Sequence, residues 1–367
     1  MRITIIIASL DKGGAQRVIS ILAREWAQMG HCVTLMTLDD GPSAYLFPSS
    51  VCRICLHLNH NSPNWLMALR NNLHCLLKLR RALQSTQPSV VISFIDTTNV
   101  LVLLALCGAA IPAIVSERVH PKYSEIAWPW KLLRRAVYGW ASCLVTQSQA
   151  AMDFFTPRIR KHACIIPNPV PAFTEKRHHW EQTCRLVSVG RLVPVKQFDL
   201  LLSGFALALR DNPGWHLRIV GEGPLLNSLL RLRDHLQLQD HVEFLSNKDN
   251  ICDVFRDADF FVSTSAYEGF PNALCEAMAY GLPVIAMDCP GGTSNIVRAG
   301  VDGLLVPLQD VHALATAISQ LMRDPQLRFN FSIAAREIVE RFSLTSVMEK
   351  WNQLILNVTG DAGAYNI

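Results

Sequence analysis

The sequence predicts an α/β protein made of two doubly wound domains, each with a parallel sheet. Short apolar runs rich in β-branched residues alternate with helical stretches along the chain. Strands that are apolar on both faces and separated by helices are typical of parallel sheets covered on both sides. At 367 residues the chain is too long for one ordinary core, and it suits two domains of roughly 150 to 200 residues.

The order of the elements supports this fold class. An amphipathic helix, Ala15–Gln28, follows the first strand. In the first half the predicted strands are Ile3–Ala8, Val33–Thr37, Val90–Phe94, Ala113–Ser116, Cys143–Gln147 and Ala163–Ile166. In the second half they are Arg185–Val189, His216–Val220, Val242–Leu245, Phe260–Ser263, Val284–Ala286 and Gly303–Val306. Each half thus repeats the strand and helix alternation of a doubly wound domain.

A stiff, proline-rich stretch marks the predicted domain boundary. Ile166-Pro167-Asn168-Pro169-Val170-Pro171 leads into a polar run from 174 to 183, where little can be buried. We predict domains at 1–167 and 168–358, followed by a polar tail at 359–367. Ligands of open α/β sheets bind at the carboxyl ends of the strands, so a cleft between the domains is expected to hold the site. Whether the last helical segment, about 325 to 358, returns to the first domain is left open.

The formal net charge of +4 conceals an asymmetry. Residues 1 to 167 hold 17 Lys and Arg against 8 Asp and Glu, a net charge of +9, and the remainder has a net charge of −5. An anionic partner for the first half is one interpretation, and a solvated basic face without a partner is the other.

Cysteines and apolar runs indicate a cytoplasmic protein. The 11 cysteines are scattered, and Cys52 and Cys55 form the one close pair, so no zinc or disulfide spacing is present. The apolar start, Met1–Leu10, continues directly into charged residues and glycines, as a first strand does and a leader peptide does not. The longest apolar run, Val100–Ile111, is well short of the roughly 20 residues that a spanning helix needs.

The most informative segment is Glu268-Gly269-Phe270-Pro271-Asn272, with Glu276 in the helix that follows. Backbone N–H groups at the start of a helix can hold a phosphate, and carboxylates accept hydrogen bonds from sugar hydroxyls. We interpret the segment as a nucleotide-sugar site, with Glu276 on the ribose and Glu268 on the transferred sugar. The alternative is a helix cap followed by a surface acid.

Gly190, Arg191 and Lys196 follow the strand Arg185–Val189. An arginine can fork across the oxygens of a diphosphate, and a lysine adds a point charge. Fixed cations of this kind stabilise the negative charge that develops on a departing diphosphate. Surface ion pairs are the alternative.

Two further groups follow strands of the first half. Gly13 and Gly14 permit close approach of a donor to the start of a helix, although an ordinary tight turn explains them equally well. Polar residues at two predicted strand ends are candidate contacts for an acceptor. They are Asp96, Thr97, Thr98, Asn99, Glu117, Arg118 and His120. For His120, a loop histidine without a chemical role is the alternative.

In the second half, Gly221-Glu222-Gly223-Pro224 is predicted to be a turn. The loop Pro290-Gly291-Gly292-Thr293-Ser294 is a candidate contact for the donor sugar.

Together these residues resemble the retaining glycosyltransferases of family four over nearly the whole chain. The resemblance implies the GT-B architecture, in which two Rossmann-like domains face each other across an interdomain cleft. It also implies transfer of a hexose or N-acetylhexosamine from a UDP-sugar with retention of configuration, without a metal and without a cofactor. Arg191 and Lys196 match the family's diphosphate clamp, Glu276 the ribose acid and Glu268 the donor-sugar acid. Arg118 stands where many relatives have His, and Asn295 where many have Glu.

The segment Ser93-Phe94-Ile95-Asp96-Thr97-Thr98-Asn99 looks like that of bacterial enzymes that extend lipid-linked oligosaccharides. This likeness implies a polyprenyl-diphosphate-linked glycan as acceptor, in surface polysaccharide or glycoprotein glycan biosynthesis, and no nucleic acid partner. Nucleotide-sugar epimerases share the architecture but need an acid and a base near the sugar that we do not assign. A dinucleotide-dependent oxidoreductase is disfavoured because G-x-G-x-x-G is absent after either first strand, and a non-catalytic sugar-nucleotide module is the third alternative.

Two segments of the first half interleave apolar and basic residues. One carries leucines at helical spacing, namely Leu66, Leu69, Leu73, Leu76, Leu77 and Leu83. The other, Trp128–Trp140, alternates aromatic residues with cations, as interfacial segments do. Core helices with solvated edges are the alternative. With the charge of the first half, these segments predict a peripheral protein on the anionic inner leaflet of the inner membrane.

Overall fold

The computed structural model describes residues 1–11, 13–58, 65–173, 183–246 and 251–360. The chain divides into two units. The first contains Met1–Asn168 and the segment from Thr345, and the second contains Pro169–Leu344. The polar run from 174 to 182 and most of the predicted tail, 361–367, lie outside the described residues.

The first unit has a seven-stranded sheet. Its strands are β1 (Arg2–Ile7), β2 (Cys32–Thr37), β3 (Cys52–Cys55), β4 (Val90–Phe94), β5 (Ala113–Ser116), β6 (Cys143–Thr146) and β7 (Ala163–Ile165). The spatial order is β3-β2-β1-β4-β5-β6-β7, and every pair is parallel. β1 is an interior strand, since Ile3 is in register with Val33 on one side and Val90 on the other. Strand order changes direction at β1 and β4, as it does in doubly wound domains.

The helices of the first unit follow its strands. They are α1 (Gly14–Gln28), α2 (Trp65–Thr86), α3 (Asp96–Ala105), α4 (Trp128–Val137), α5 (Gln149–Asp153) and α6 (Pro157–Arg160), with 3-10 turns at Pro121–Tyr123 and Tyr138–Trp140. On α2, Leu79 and Leu83 are buried, whereas Leu73 and Leu77 are exposed. The side chains of Leu66 and Leu69 lie outside the described residues.

The second unit has a six-stranded sheet. Its strands are β8 (Arg185–Val189), β9 (His216–Val220), β10 (Val242–Leu245), β11 (Phe260–Ser263), β12 (Val284–Met287) and β13 (Gly303–Val306). They are parallel and have the order β10-β9-β8-β11-β12-β13. The prediction of two doubly wound parallel sheets is therefore confirmed.

The helices of the second unit complete the alternation. They are α7 (Phe198–Leu209), α8 (Leu226–His235), α9 (Ile251–Arg256), α10 (Asn272–Tyr280), α11 (Thr293–Ile296), α12 (Val311–Arg323), α13 (Pro325–Ala335) and α14 (Ile338–Arg341), with a 3-10 turn at Pro194–Lys196. Apolar residues fill two core clusters, one of which includes Leu186, Phe205 and Ile318 and the other Phe255 and Met278. Strand residues contribute to both clusters, which is why the strands read as continuous apolar runs.

The final helix, α15 (Leu344–Thr359), packs in the first unit. Its Trp351 is fully buried and lies edge-on to Trp26 of α1, with 6.1 Å between ring centroids. The indole Nε1 of Trp26 donates a hydrogen bond to Asn352 Oδ1 at 2.8 Å. The first unit is therefore built from two separate stretches of the chain, and the return that the sequence left open takes place.

The sequence pattern missed β3. Strand residues Cys52 and Arg53 are exposed, and β3 pairs only with β2 at the edge of the sheet. A short edge strand with one solvated face lacks the apolar run that identified the others.

Among the helices that the structure describes, none combines the length and the apolar character needed to cross a bilayer.

Candidate functional site

Lys196 and Glu268 are brought together in the second unit. Lys196 ends the 3-10 turn after β8, and Glu268 lies between β11 and α10. Because β8 and β11 are parallel neighbours, the segments after their carboxyl ends lie at the same edge of the sheet. Lys196 Nζ donates a hydrogen bond to Glu268 Oε1 at 2.5 Å, with 23% and 15% of the two side chains exposed. The pair is thus partly shielded from water and within reach of a ligand.

A small pocket that is open to solvent lies beside this ion pair. Its lining includes both partners and several hydroxyl groups. The lining residues are Ser188, Val189, Lys196, Phe198, Phe261, Ser263, Thr264, Ser265, Glu268, Pro271, Ala273 and Leu274. Thr264 Oγ1 donates to the carbonyl oxygen of Lys196 at 2.8 Å, which fixes the backbone of the turn. The arrangement offers a cation, a carboxylate and hydroxyls to a polar ligand.

Arg191 is exposed at the carboxyl end of β8 and is not among the residues that line this cavity. The loop that contains Arg191 is held by the loop after β9, because Leu192 N donates to the carbonyl oxygen of Glu222 at 2.8 Å. A Cβ at Gly221 would lie 1.9 Å from the Gly190 carbonyl oxygen. The first glycine of the predicted turn Gly221-Glu222-Gly223-Pro224 is therefore required, because only glycine allows the loop after β9 to lie this close to the loop that contains Arg191.

Glu276 is the fifth residue of α10 and is buried. The helix begins at Asn272, directly after Pro271, and ends at Gly281 in a left-handed conformation. Burial raises the pKa of the neighbouring Cys275 thiol well above its usual value, and the Glu276 carboxylate raises it further. Glu276 is not among the residues that line the cavity beside Lys196.

The loop after β12 lies against the turn that carries Glu268. Glu268 N donates to the carbonyl oxygen of Pro290 at 3.1 Å. Gly291 has φ +119°, and a Cβ there would lie 1.7 Å from the Glu268 carbonyl oxygen. In the same turn, Phe270 is buried. The position of the Glu268 backbone is therefore set jointly by its own turn and by the Pro290–Gly291 loop.

In the first unit, the Gly13 backbone is held by Tyr45. The Tyr45 hydroxyl donates to the Gly13 carbonyl oxygen at 2.9 Å, and Gly13 N approaches that hydroxyl at 3.2 Å. Gly14 is the first residue of α1. Tyr45 was not identified from the sequence, because it is 32 residues away from Gly13 and carries no motif.

The predicted acceptor residues at the ends of β4 and β5 form a buried network. Asn99 accepts from Ser93 Oγ at 2.7 Å and donates to the Tyr138 hydroxyl at 3.1 Å. That hydroxyl donates to Glu117 Oε1, and the Asp96 carboxylate accepts from Ser124 Oγ. Burial raises the pKa of Glu117 to about 7, and the charge of Asp96 adds to the effect. Thr98 is fully buried and Thr97 half-buried on the same helix. Asp96, Asn99 and Glu117 are thus hydrogen-bonded within the unit, whereas Thr98 Oγ1 has no hydrogen-bond partner among the described residues. The role of all these residues towards an acceptor stays a prediction.

Arg118 is buried between two aromatic rings. Its guanidinium carbon lies 4.7 Å from the centroid of Phe94 and 5.8 Å from that of Trp351, and Nη1 donates to Asn168 Oδ1 at 2.8 Å. Burial lowers its pKa to about 9. Nε and Nη2 have no hydrogen-bond partner among the described residues. Nearby in sequence, His120 is also buried and its Nδ1 accepts from Lys122 N at 3.3 Å, while burial lowers its pKa.

The Glu117 network predicts a pH-dependent stability. Between pH 4.5 and about 7 the unfolded carboxyl is ionised while the folded one keeps its proton, so stability present at low pH is lost as pH rises. We expect Glu117→Gln to remove this loss and to raise the free energy of unfolding by up to about 3 kcal/mol at pH 8, with a smaller gain at pH 5. Urea unfolding at both pH values measures the effect. The exposed Glu125→Gln is the control, and equal gains at the two pH values would contradict the prediction.

No group of three or more His, Cys, Asp or Glu suited to a metal ion occurs in the described ranges.

Two family models match adjacent parts of the chain. Residues 12–172 match the model described as Glycosyltransferase Family 4, and residues 172–338 match the model described as Glycosyl transferases group 1. Together they extend over both units, and the second contains Arg191, Lys196, Glu268 and Glu276.

Similar proteins include two curated relatives and a solved structure. An α-1,4-N-acetyl-D-galactosaminyltransferase of Campylobacter jejuni, named for an undecaprenol-PP-linked glycan, is 26% identical over 98% of this chain and 99% of its own length. An exopolysaccharide phosphotransferase of Streptomyces coelicolor is 32% identical over 76% of this chain, which spans only 29% of that relative. The crystal structure of HepE from Anabaena in complex with UDP has a TM-score of 0.79 and 18% identity, covering 97% of this chain and 100% of that one. The structural likeness establishes a shared fold.

Proposed function

Because the chain belongs to the family-4-type glycosyltransferases and has the GT-B fold, we propose that it moves a hexose or N-acetylhexosamine from a UDP-sugar to a lipid-linked glycan. The acceptor is a polyprenyl-diphosphate-linked glycan of surface polysaccharide or glycoprotein glycan biosynthesis. Transfer retains the anomeric configuration and uses neither a metal nor a cofactor. The observation that supports this most is the Lys196–Glu268 pair at the mouth of a polar cavity.

The chemistry follows from where charge develops. As the bond between the sugar C1 and the diphosphate oxygen breaks, negative charge grows on the departing UDP. Lys196, with Arg191 from the same loop region, neutralises it, and stabilisation of this kind usually supplies a large part of an enzyme's rate enhancement. Glu268 accepts hydrogen bonds from the transferred sugar and Glu276 from the ribose, which fixes the donor in a reactive geometry.

The acceptor hydroxyl then attacks C1 on the face that UDP leaves. A new bond forms between C1 and the acceptor oxygen, and the acceptor proton passes to the departing diphosphate. No protein nucleophile is required, so the protein contributes placement and charge. The relatives are consistent with this substrate pair, since one is named for a lipid-linked glycan and another was crystallised with UDP.

A screen of donors tests the proposal. UDP-, GDP- and dTDP-sugars are incubated with the full chain, with and without a synthetic polyprenyl-diphosphate glycan, in the presence of a chelator. We expect hydrolysis or transfer with UDP-sugars but not with GDP- or dTDP-sugars. NMR of the product should show the donor's anomeric configuration. Conversion of the free UDP-sugar into its epimer would identify an epimerase instead, and an inverted product would exclude retention.

We further propose that the chain is cytoplasmic and docks on the anionic inner leaflet through an aromatic-basic patch. This patch consists of exposed residues of the segment 128–140, namely Trp128, Lys131, Leu132, Arg135 and Trp140. Trp128 is 70% and Trp140 is 55% exposed, although the large side chain of tryptophan is usually well buried in a folded protein. Aromatic rings and cations at one surface suit the headgroup region of a bilayer, and the +9 charge of residues 1 to 167 favours anionic lipid.

The patch predicts lipid-dependent sedimentation. Each cation near an anionic surface contributes about 1 kcal/mol, so the double variant Lys131→Gln/Arg135→Gln is expected to bind anionic vesicles roughly 30-fold more weakly at low salt. The double variant Arg210→Gln/Arg323→Gln in the second unit, which removes two cations elsewhere, is the matched control. Equal sedimentation of the parent with neutral and anionic vesicles would contradict docking on an anionic leaflet.

A further inference from the structure

Arg341, the last residue of α14, holds the end of the short helix α11. Its Nη1 donates to the carbonyl oxygen of Ile296 and its Nη2 to that of Asn295, each at 2.8 Å. These carbonyls lie at the end of a helix, where the backbone has no partners of its own. A planar guanidinium can reach both at once, which an ammonium group cannot do in the same fixed geometry.

A buried carboxylate holds Arg341 in this place. Asp302 is fully buried, and its Oδ2 lies 2.6 Å from Arg298 Nε and 3.6 Å from Arg341 Nη1. A carboxylate removed from water is strongly destabilising unless cations and hydrogen-bond donors surround it. Arg298 also bonds Glu337 Oε2 at 2.7 Å, next to α14. The segment after α11 and the helix α14 are therefore joined by a continuous charged network.

The neighbouring residue, Phe342, contacts the turn that carries Glu268. Its ring lies edge-on to Phe270, with centroids 5.6 Å apart. Phe270 belongs to the turn that carries Glu268, and Arg341 holds the helix that follows the Pro290–Gly291 loop. These two segments also contact each other, since Glu268 N donates to the Pro290 carbonyl oxygen. Phe342 thus contacts a side chain of the turn that carries Glu268, and Arg341 contacts the helix that follows the loop against which this turn lies.

We propose that Arg341 is a positioning residue for the donor sugar. Its two hydrogen bonds fix α11, α11 fixes the Gly291–Gly292 loop, and that loop fixes the backbone of Glu268. The inference rests on the proposed function and specifies it. Arg341 acts on the side of the site that meets the sugar, whereas the Arg191 loop is held separately by its contacts with Gly221 and Glu222. Loss of Arg341 therefore changes sugar transfer more than it changes UDP binding.

Three variants test the inference. Arg341→Met removes the charge and both hydrogen bonds, and Arg341→Lys keeps a charge near Asp302 without the fork. Arg323→Met is the matched control, because Arg323 bonds Asp211 and Asn212 on the surface of the same unit. Amide hydrogen exchange of residues 290–297 without ligand is the first measurement. UDP affinity by calorimetry, turnover of the UDP-sugar and the melting temperature are the others.

We expect exchange at residues 290–297 to be about tenfold faster in both Arg341 variants. Turnover should fall about tenfold with UDP affinity within twofold of the parent, and Arg341→Lys should restore the melting temperature without restoring turnover. A purely structural role predicts that turnover recovers with stability. Recovery of that kind, or unchanged exchange, would overturn the inference. If Arg341→Met does not fold, Arg341→Lys decides the question by the same criteria. A parent that binds no UDP would refute the proposed function, while the exchange data would still decide whether Arg341 holds the loop.

Discussion

Lys196→Ala is expected to lower the turnover of the donor by about 10²- to 10³-fold, the usual loss when one preorganised donor to a developing anion is removed. Lys196 Nζ is the cation that faces the cavity beside Glu268, and its backbone is held by Thr264. In the proposed mechanism alanine leaves the departing diphosphate without this charge, and it also removes the hydrogen-bond partner of Glu268. Steady-state kinetics of UDP-sugar hydrolysis or transfer measure the loss.

The control for this variant is Lys350→Ala, since Lys350 is exposed on α15 in the first unit. Its turnover should equal that of the parent. Combining Lys196→Ala with Arg191→Ala should cost less than the product of the single losses, because both cations serve one diphosphate in the proposed mechanism. Activity of Lys196→Ala within twofold of the parent would remove Lys196 from the mechanism.

Gly291→Ala is expected to reduce turnover by at least about tenfold, because a displacement of about 1 Å at a catalytic group commonly costs up to 100-fold. The added Cβ would lie 1.7 Å from the Glu268 carbonyl oxygen, so the loop and the backbone of Glu268 must separate. Turnover and UDP affinity, compared at equal folded fraction, measure the effect.

Gly300→Ala is the matched control for this substitution. Gly300 also has a positive φ, +76°, but its Cβ would meet no atom within 4 Å. It therefore reproduces the left-handed strain, about 1 to 2 kcal/mol, without the collision. If Gly291→Ala retained as much activity as Gly300→Ala, the close approach to Glu268 would have no catalytic importance.

The sequence predicted the fold class because most strands are buried on both faces and carry uninterrupted apolar runs. β3 escaped notice because its residues are largely exposed at the edge of the sheet. The segment from 325 to 358 was recognised as helical, but its division into α13, α14 and α15 was not predicted. Local pattern identifies an element, whereas its destination depends on partners far away, such as Trp26 for Trp351.

The candidate site was predictable only in part, for a related reason. Lys196 and Glu268 carry charges at strand ends, and the structure brings them into contact. Tyr45 and Arg341 act through contacts with segments distant in sequence, so nothing in their immediate neighbours identifies them. Gly221 was predicted to lie in a turn, but its close approach to Gly190 was not predicted. The roles of Arg191 and Glu276 towards a donor stay predictions. Arg118, a predicted contact for the acceptor, is enclosed by Phe94 and Trp351 rather than exposed.

The burial of Trp351 against Trp26 and Phe94 has a consequence for biogenesis. On the ribosome, the stretch Pro169–Leu344 is synthesised as one uninterrupted piece and contains everything that its own core requires. Met1–Asn168 is synthesised earlier but lacks α15, so Trp26 and Phe94 stay without their partner Trp351 until the residues of α15 have been made. The first unit therefore completes its core only after the second unit has been synthesised.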